Sequence, residues 1–157
     1  MKDSFQNYNP KNMAKVIGTA LPISHKISRE VAKFIKNRQI DKAMNVLKQV
    51  TEKKQAVPYK RYNRDIPHKP GKMAAGRYPI KTSEQIIKLL KSLKSNAQNK
   101  GLDTTKLIIV HAAAQKGEKR MRFGRQRRER KNTHFELVAE EKETVQKKKK
   151  KQEGSPK

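Results

Sequence analysis

The chain contains no cysteine and no tryptophan. Without cysteine there are no disulfides and none of the commonest zinc sites, which fits a reducing cytoplasm. The longest apolar run, Leu107 to Val110, is far too short to span a membrane. No charged-then-apolar signal segment opens the chain, so we do not expect secretion. Only 33% of the residues are hydrophobic and 5% are aromatic, so the core must be small. We therefore expect part of the chain to be ordered only on a partner.

Acidic residues are also scarce, and the charge balance points to a polyanionic partner. There are 40 Lys and Arg against 14 Asp and Glu, a formal net charge of +26 on 157 residues. Like charges crowded on a small surface repel one another, and nucleic acid is the commonest polyanion that relieves this repulsion. A membrane partner is not expected, because membrane binding also needs an apolar anchor. The Lys-rich residues 142–157 carry only a small part of this charge, so the body of the protein is itself basic.

The apolar spacing predicts three helices, and β-branched or alternating runs predict three strands. The first helix follows an N-cap at Ser24 and runs to about Asn37, and the second is capped by Asp41. The third is capped by Thr82 or Ser83 and ends before Gly101. Residues predicted to face the core from these helices are Ile27, Val31, Phe34, Ile35, Ala43, Met44, Leu47, Val50, Ile86, Leu89, Leu90, Leu93 and Ala97. Strands are predicted at 13–20, 107–113 and 133–139. The segment 57–80 holds four Pro and two Gly, which predicts a loop without regular elements.

The segment between the last two strands predicts a hairpin whose far end leaves the domain. From Lys116 to Lys131 it carries nine Lys or Arg against two Glu, with almost nothing apolar except Met121 and Phe123. Arginine dominates, and its planar guanidinium binds phosphate with two hydrogen bonds and stacks on bases. The alternative is a solvated, disordered charge run, but such a run needs neither an excess of arginine nor Phe123 and Gly124. We therefore favour RNA contact.

The loop from Lys54 to Lys81 alternates aromatic and cationic residues. Tyr59, Tyr62 and Tyr78 lie among lysines and arginines, a pattern that suits irregular RNA with exposed bases. For any one of these tyrosines, packing on a helix with the hydroxyl outward is an equal alternative.

Searches for catalytic motifs find nothing that argues for an enzyme. The four histidines, at positions 25, 68, 111 and 134, have no metal-ligand spacing. His111 lies inside an apolar strand and is interpreted as a core or ladder residue. Gly71-Lys72 lacks the other residues of a phosphate-binding loop, and no nucleophile elbow is present. We predict no catalytic residue, no cofactor, no metal and no small-molecule substrate.

Four separate segments resemble the archaeal and eukaryotic form of the large-subunit ribosomal protein L-twenty-two family. They are ISHKISREVAKFIKNRQIDKAMNVL at 23–47, VPYKRYNRDIPHKPGKMAAGRYPIKTSE at 57–84, SNAQNKGLDTTKLIIVHAAAQKG at 95–117, and FGR with THFELVAEE at 123–125 and 133–141. The resemblance covers about residues 13–141 in order. One departure is that Met121-Arg122 runs directly into Phe123-Gly124-Arg125 without the family's usual proline turn, so we expect a shorter hairpin tip.

The resemblance implies an α+β fold, with three helices packed on a small three-stranded antiparallel sheet that carries a long extended β-hairpin. It implies a single rRNA-binding domain at 13–141 with the hairpin at 107–138, a flexible arm at 1–12 and a disordered Lys-rich tail at 142–157. It further implies a cytoplasmic constituent of the large ribosomal subunit whose hairpin lines the nascent-peptide exit tunnel. The expected partners are large-subunit rRNA, neighbouring ribosomal proteins and, transiently, the nascent peptide.

The residues that we expect to contact rRNA fall into two groups. In the loop they are Lys60, Arg61, Tyr62, Arg64, His68, Lys69, Lys72, Arg77, Tyr78 and Lys81. In the hairpin they are Lys116, Lys119, Arg120, Arg122, Arg125, Arg127, Arg128, Arg130 and Lys131. The expected hairpin tip in the tunnel consists of Arg120, Met121, Arg122, Phe123, Gly124 and Arg125.

Two rival functions remain open at this point. A free-standing RNA chaperone or DNA-compacting protein is permitted by charge alone, but it would not be stoichiometric with large subunits. An RNA-modifying enzyme or nuclease would require convergent acids or a histidine pair beside the basic surface, and the sequence supplies neither.

Overall fold

The computed structural model describes residues 4–71, 73–118, 120–125 and 127–141, which form three helices and a three-stranded sheet with two smaller strand pairs. In chain order the elements are β1 (Met13–Leu21), α1 (His25–Ile35), α2 (Ile40–Thr51), β2 (Val57–Pro58), β3 (Gly76–Arg77), α3 (Ile80–Asn99), β4 (Leu107–Lys116), β5 (Arg120–Met121), β6 (Glu129–Arg130) and β7 (Thr133–Glu141). The predicted α+β class, with helices on a three-stranded antiparallel sheet, is confirmed.

The last strand lies at the centre of the main sheet, in the order β1-β7-β4, and both of its pairings are antiparallel. Phe135, Leu137 and Ala139 alternate along β7 and are completely buried, because this face packs on the helices. The helices cover the sheet from one side, with α1 against β4, α3 against β1, and α2 packed on α3. The core therefore lies between one helical layer and one sheet.

Most residues predicted to face the core do so, as Ile86, Leu90, Leu93 and Ala97 of α3 illustrate. They recur at intervals of three or four, which places them on one side of a helix. Leu89 is only partly buried and packs at the margin of this core.

The predicted helix starts are confirmed for α1 and wrong for α2 and α3. Ser24 is the N-cap of α1, although its hydroxyl makes no capping hydrogen bond. Gln39 precedes α2, and Asp41 lies in its first turn, where it accepts a hydrogen bond of 2.8 Å from Lys94. The N-cap of α3 is Pro79, so Thr82 and Ser83 lie inside the helix and are buried.

The helix ends follow from backbone hydrogen bonds beyond each last turn. The predicted end of α1 at Asn37 is two residues late, because Asn37 has a positive φ of 62° and donates to the Ile109 carbonyl at 2.8 Å. At the end of α3, Gly101 has a φ of 74° and donates to Gln98, while Leu102 donates to Ala97. These two bonds form a Schellman motif, and the predicted C-terminal glycine is confirmed.

The prediction that residues 57–80 contain no regular element is wrong. β2 and β3 pair antiparallel through Val57 with Arg77 and Pro58 with Gly76, and His68 forms an isolated bridge with Ala75. Tyr59 donates its backbone N–H to Ala75 at 2.9 Å. The segment is therefore an irregular hairpin, since its prolines occupy positions where the pairing needs no N–H group.

The long hairpin is formed by β4 and β7, which pair from Leu107 with Glu141 to Lys116 with Thr133. Beyond that point β5 and β6 continue it through the pairs Arg120 with Arg130 and Met121 with Glu129. Arg122 then donates to the Arg128 carbonyl at 3.0 Å, and Gly124 adopts a positive φ of 85° in the turn. Both main strands are longer than predicted, because pairing continues where the hydrophobic pattern has ended.

Residues 4–12 run beside the body of the domain. Tyr8 donates to the Met13 carbonyl at 3.1 Å, and the Lys100 amine donates to the Tyr8 hydroxyl at 2.6 Å. The flexibility of this arm stays a prediction, and the Lys-rich tail at 142–157 lies outside the described residues. In the part of the chain that the structure describes, no helix is long and apolar enough to cross a membrane.

Candidate nucleic-acid interface

The first turn of α1 lies where three surface grooves meet. Ser24 lines all three, Lys26 lines two of them, and Ile27 also lines two. The loop groove lies beside the segment from β2 to β3, and the hairpin groove lies beside β5 and β6. The strand groove lies beside the adjoining ends of β4 and β7. The first N–H groups of a helix have no intrahelical partner and favour anions, so this junction has a positive character of its own.

The loop groove has a volume of about 470 Å³ and lies between α1 and the segment from β2 to β3. Its lining residues are Ser24, Lys26, Ile27, Tyr59, Arg61, Tyr62, Asn63, Arg64, Ile66 and Arg77. No carboxylate is among them, so the groove attracts anions and repels cationic peptides. Four of the residues predicted to contact rRNA thus line one groove: Arg61, Tyr62, Arg64 and Arg77.

A buried carboxylate fixes the backbone beside the loop groove. Glu30 of α1 is 2% exposed and accepts hydrogen bonds from three consecutive backbone N–H groups. The distances are 3.2 Å from Lys60, 3.0 Å from Arg61 and 3.1 Å from Tyr62. These bonds use only backbone donors, so the cationic and aromatic side chains of the loop stay available for a ligand.

Tyr62 lies among cations within the loop groove. The amine of Lys26 and the guanidinium carbon of Arg61 are each 5.8 Å from its ring centroid, and Arg29 donates to its hydroxyl at 3.4 Å. The ring is half-buried. A partly exposed aromatic face flanked by cations is suited to stacking on a nucleobase.

Tyr59 lies deeper in the loop groove, and for this tyrosine the alternative of packing is correct. It is 5% exposed and belongs to the hydrophobic core, but its hydroxyl is buried and has no hydrogen-bond partner among the described residues. Burial raises the pKa of this hydroxyl to about 12; Arg77 opposes that shift, and Glu30 adds to it. The hydroxyl is therefore a neutral donor and acceptor without a partner, which is unusual for a buried polar group.

The hairpin groove is the largest of these three grooves, with a volume of about 930 Å³. It runs between the hairpin and the starts of α1 and α3, and its cationic lining residues are Lys81, Arg120, Arg122, Arg128, Arg130 and Lys131. One carboxylate, Glu129, also lines it. The structure thus places loop residue Lys81 beside five of the predicted hairpin cations.

The strand groove, of about 280 Å³, adds Lys116 to this surface, together with His25 and Lys26. Burial lowers the pKa of His25, and the neighbouring charge of Arg29 lowers it further, against a backbone hydrogen bond with Ala114 that raises it. The lowered pKa favours the neutral form of His25, because burial, and after it the neighbouring positive charge, disfavours the protonated ring.

Other predicted residues lie apart from the loop groove. Lys60 lines a separate groove with Lys33, Lys36 and Arg38, whose guanidinium stacks on Phe34 at 4.3 Å. The Lys69 amine lies 5.5 Å from the Tyr78 ring centroid, and His68 is exposed at the bridge to Ala75. Lys72 and Lys119 lie outside the described residues.

The predicted tip residues are all exposed. Phe123 is fully exposed and Met121 is 60% exposed, and the side chains of Arg125 and Arg127 beside them are also exposed. Met121 and Phe123 therefore present apolar surface among exposed arginines, where a partner can contact it.

Sequence reasoning missed Lys26, Arg29 and Glu30 of the first helix. A signal for Glu30 was present, because it is the only acidic residue between Asp3 and Asp41. A lone acid on a strongly basic helix is a candidate for a buried structural partner. No comparable signal marked Lys26 and Arg29, since cations occur along the whole chain.

A second polar cluster lies away from the grooves. On the sheet, Glu136 is 4% exposed and accepts hydrogen bonds from the backbone and hydroxyl of Ser4. His111 lies 3.0 Å from the Ser4 hydroxyl and pairs with Val138 in the strand ladder, as the ladder interpretation of His111 requires. Burial lowers the pKa of His111 against the opposing charge of Glu136. Among the described residues, no three His, Cys, Asp or Glu side chains are placed to hold a metal ion.

The fold and the surface define a small basic α+β protein whose cations gather around one helix end and along an extended hairpin. The sequence profile of the family described as Ribosomal protein L22p/L17e matches residues 16–138. The chain therefore belongs to the ribosomal protein L22p/L17e family, as the four sequence segments predicted.

Curated relatives are similar in sequence to this chain over most of their own length. Large ribosomal subunit protein uL22 of Cenarchaeum symbiosum is 43% identical, over 88% of this chain and 95% of the relative. The proteins of the same name from Archaeoglobus fulgidus and Methanococcus aeolicus are 41% and 40% identical, each over 85% of this chain and over 93% and 92% of the relative, respectively.

Proposed function

We propose that this chain is a structural constituent of the large ribosomal subunit, where it binds rRNA and takes part in assembly in the cytoplasm. Membership of a family of ribosomal proteins supports this assignment, and so does the identity with relatives named as large-subunit proteins. The net charge of +26 supplies the electrostatic attraction, since release of counterions from phosphates contributes much of the affinity of such proteins.

The observation that carries the proposal is the junction of three cationic grooves at the start of α1. Loop and hairpin cations that lie far apart in sequence, such as Arg61 and Arg130, border grooves that share Ser24. One folded RNA can therefore bind both groups together. The predicted rRNA contacts in the loop and hairpin are retained in this proposal, with Lys26 and Arg29 added to them.

The hairpin continues beyond the three-stranded sheet through β5 and β6, and its tip is proposed to line the nascent-peptide exit tunnel. Its described residues from Arg120 to Arg125 are exposed, and Phe123 has no packing partner in the domain's core. A tip of this kind needs RNA on one side to neutralise its charge, and it can present its remaining side chains to a passing peptide. Neighbouring ribosomal proteins and the nascent peptide are the other proposed partners.

Gradient sedimentation of the tagged protein from its own cells in high-salt buffer tests this function. We expect comigration with the large subunit at near one copy per particle, because an architectural protein is stoichiometric and does not exchange. Release to the top of the gradient, or comigration with DNA, would instead favour a free-standing nucleic-acid-binding protein.

A further inference from the structure

We propose that the loop groove is a pocket for one unpaired nucleobase of the bound RNA, stacked on Tyr62 and flanked by the arginines that line the groove. The inference rests on the proposed function and deepens it, since it names the chemical group that one part of the surface recognises. Two features of the groove carry it: its size with its cationic lining, and its aromatic wall.

The size of the groove suits a nucleotide. Its volume of about 470 Å³ lies within the range of ordinary small-ligand pockets, of roughly 300–1,000 Å³. Arg61, Arg64 and Arg77 line it, and the start of α1 at Ser24 forms one side. These groups are placed to bind phosphates on either side of an inserted base, because arginines and helix N-termini both favour phosphate.

The aromatic wall is Tyr62, and its backbone position does not depend on its ring. Glu30 holds the backbone N–H groups at 60–62, so the loop keeps its course when the Tyr62 side chain is changed. Cations at 5.8 Å from the ring centroid flank the ring and favour stacking with the polarised face of a base. No carboxylate lines the groove, which disfavours a basic peptide as the occupant.

The test compares two labelled RNAs with the full-length protein, a single strand of about ten nucleotides and its abasic twin of the same length and charge. Phosphate binding is common to both, and base insertion is possible only in the first. We expect the intact protein to prefer the base-bearing RNA by roughly 5- to 100-fold, the range that stacking of one base produces.

Tyr62→Ala is expected to abolish that preference, while Tyr62→Phe retains it to within about threefold, because the ring is kept. Tyr8→Ala is the matched control, because it removes a half-buried, cation-flanked tyrosine that does not line the loop groove and is not among the proposed RNA contacts.

Equal affinity of the intact protein for both RNAs would overturn the pocket, and so would a preference that survives in Tyr62→Ala. Either result leaves the proposed function standing if the protein still comigrates with large subunits. Failure to bind either RNA together with failure to comigrate would instead remove the proposed function itself.

Discussion

At two positions the folded protein favours the neutral form of a histidine, and this preference links the stability of the protein to pH. His25 lines the strand groove beside Lys26 and Lys116, and His111 is covered by residues from the N-terminal arm. Burial is the main cause that lowers the pKa of each ring. In both places the neutral imidazole is the form that the folded protein favours.

We expect the free energy of unfolding of the isolated protein to decrease as pH falls through about 6.5, the ordinary pKa of histidine. The unfolded chain binds more protons than the folded chain in this range, so acid favours unfolding. Urea denaturation at several pH values would measure the slope, and the double variant His25→Gln, His111→Gln should flatten it. A slope that the double variant leaves unchanged would contradict this assignment.

At the element scale, one acid of α1 determines the course of the cationic loop. The Glu30 carboxylate accepts hydrogen bonds from three backbone N–H groups that would otherwise bond to water. No other side chain among the described residues does this for the loop. Because the acceptor is buried and charged, these hydrogen bonds are stronger than bonds on the surface. These bonds join the loop to the helix at residues 60–62, which border the loop groove.

Glu30→Ala should reduce the free energy of unfolding by about 2–4 kcal/mol, because buried donors lose a charged acceptor. Glu30→Gln keeps one acceptor oxygen and should cost less. Hydrogen exchange at the amides of Lys60, Arg61 and Tyr62 should accelerate in the alanine variant. Glu84→Ala is the charge-matched control, since Glu84 is exposed on α3, and its effect should stay below about 0.5 kcal/mol. Equal losses of stability in the two alanine variants would show that removal of a negative charge, and not loss of the hydrogen bonds to the loop, is responsible.

In the whole molecule, the residues that form the core are different from the hairpin-tip residues proposed to bind RNA. The core lies between the helices and the sheet, whereas the hairpin tip and its arginines are exposed. Tip substitutions therefore leave the buried packing of the domain intact. Their effects should appear in RNA binding and assembly rather than in stability.

The triple variant Arg125→Ala, Arg127→Ala, Arg128→Ala should impair subunit assembly or cell growth while leaving the thermal stability of the isolated domain nearly unchanged. The salt dependence of RNA affinity should weaken by about 0.7–0.9 in logarithmic slope for each phosphate that is no longer neutralised. A control that removes three exposed cations from the helical layer, Lys42→Ala, Lys88→Ala, Lys91→Ala, should have a smaller effect on both. A large loss of stability in the tip variant would show that the tip belongs to the fold.

The elements that sequence predicted well are those with a strong local cause. Gly101 ends α3 because a positive φ of 74° suits glycine, and the apolar spacing of α3 identified its buried side. The start of α3 was misplaced because Thr82 and Ser83 have good capping chemistry but lie in the buried interior of the helix. Tertiary packing thus overrode a local preference. Among site residues, the loop and hairpin cations were predicted from composition, whereas the groove they share with α1 was not.

Composition and short-range patterns were enough for the sign and size of the charge, the three helices and the strands of the main hairpin, and the family was recognised from the resemblance of four sequence segments. The hydrogen bonds from three loop N–H groups to Glu30, and the burial of Tyr59 with no partner for its hydroxyl among the described residues, became evident only in the folded protein. The same holds for the meeting of loop and hairpin cations at Ser24. These facts join residues about 30 to 100 positions apart, and no local preference carries information over such separations.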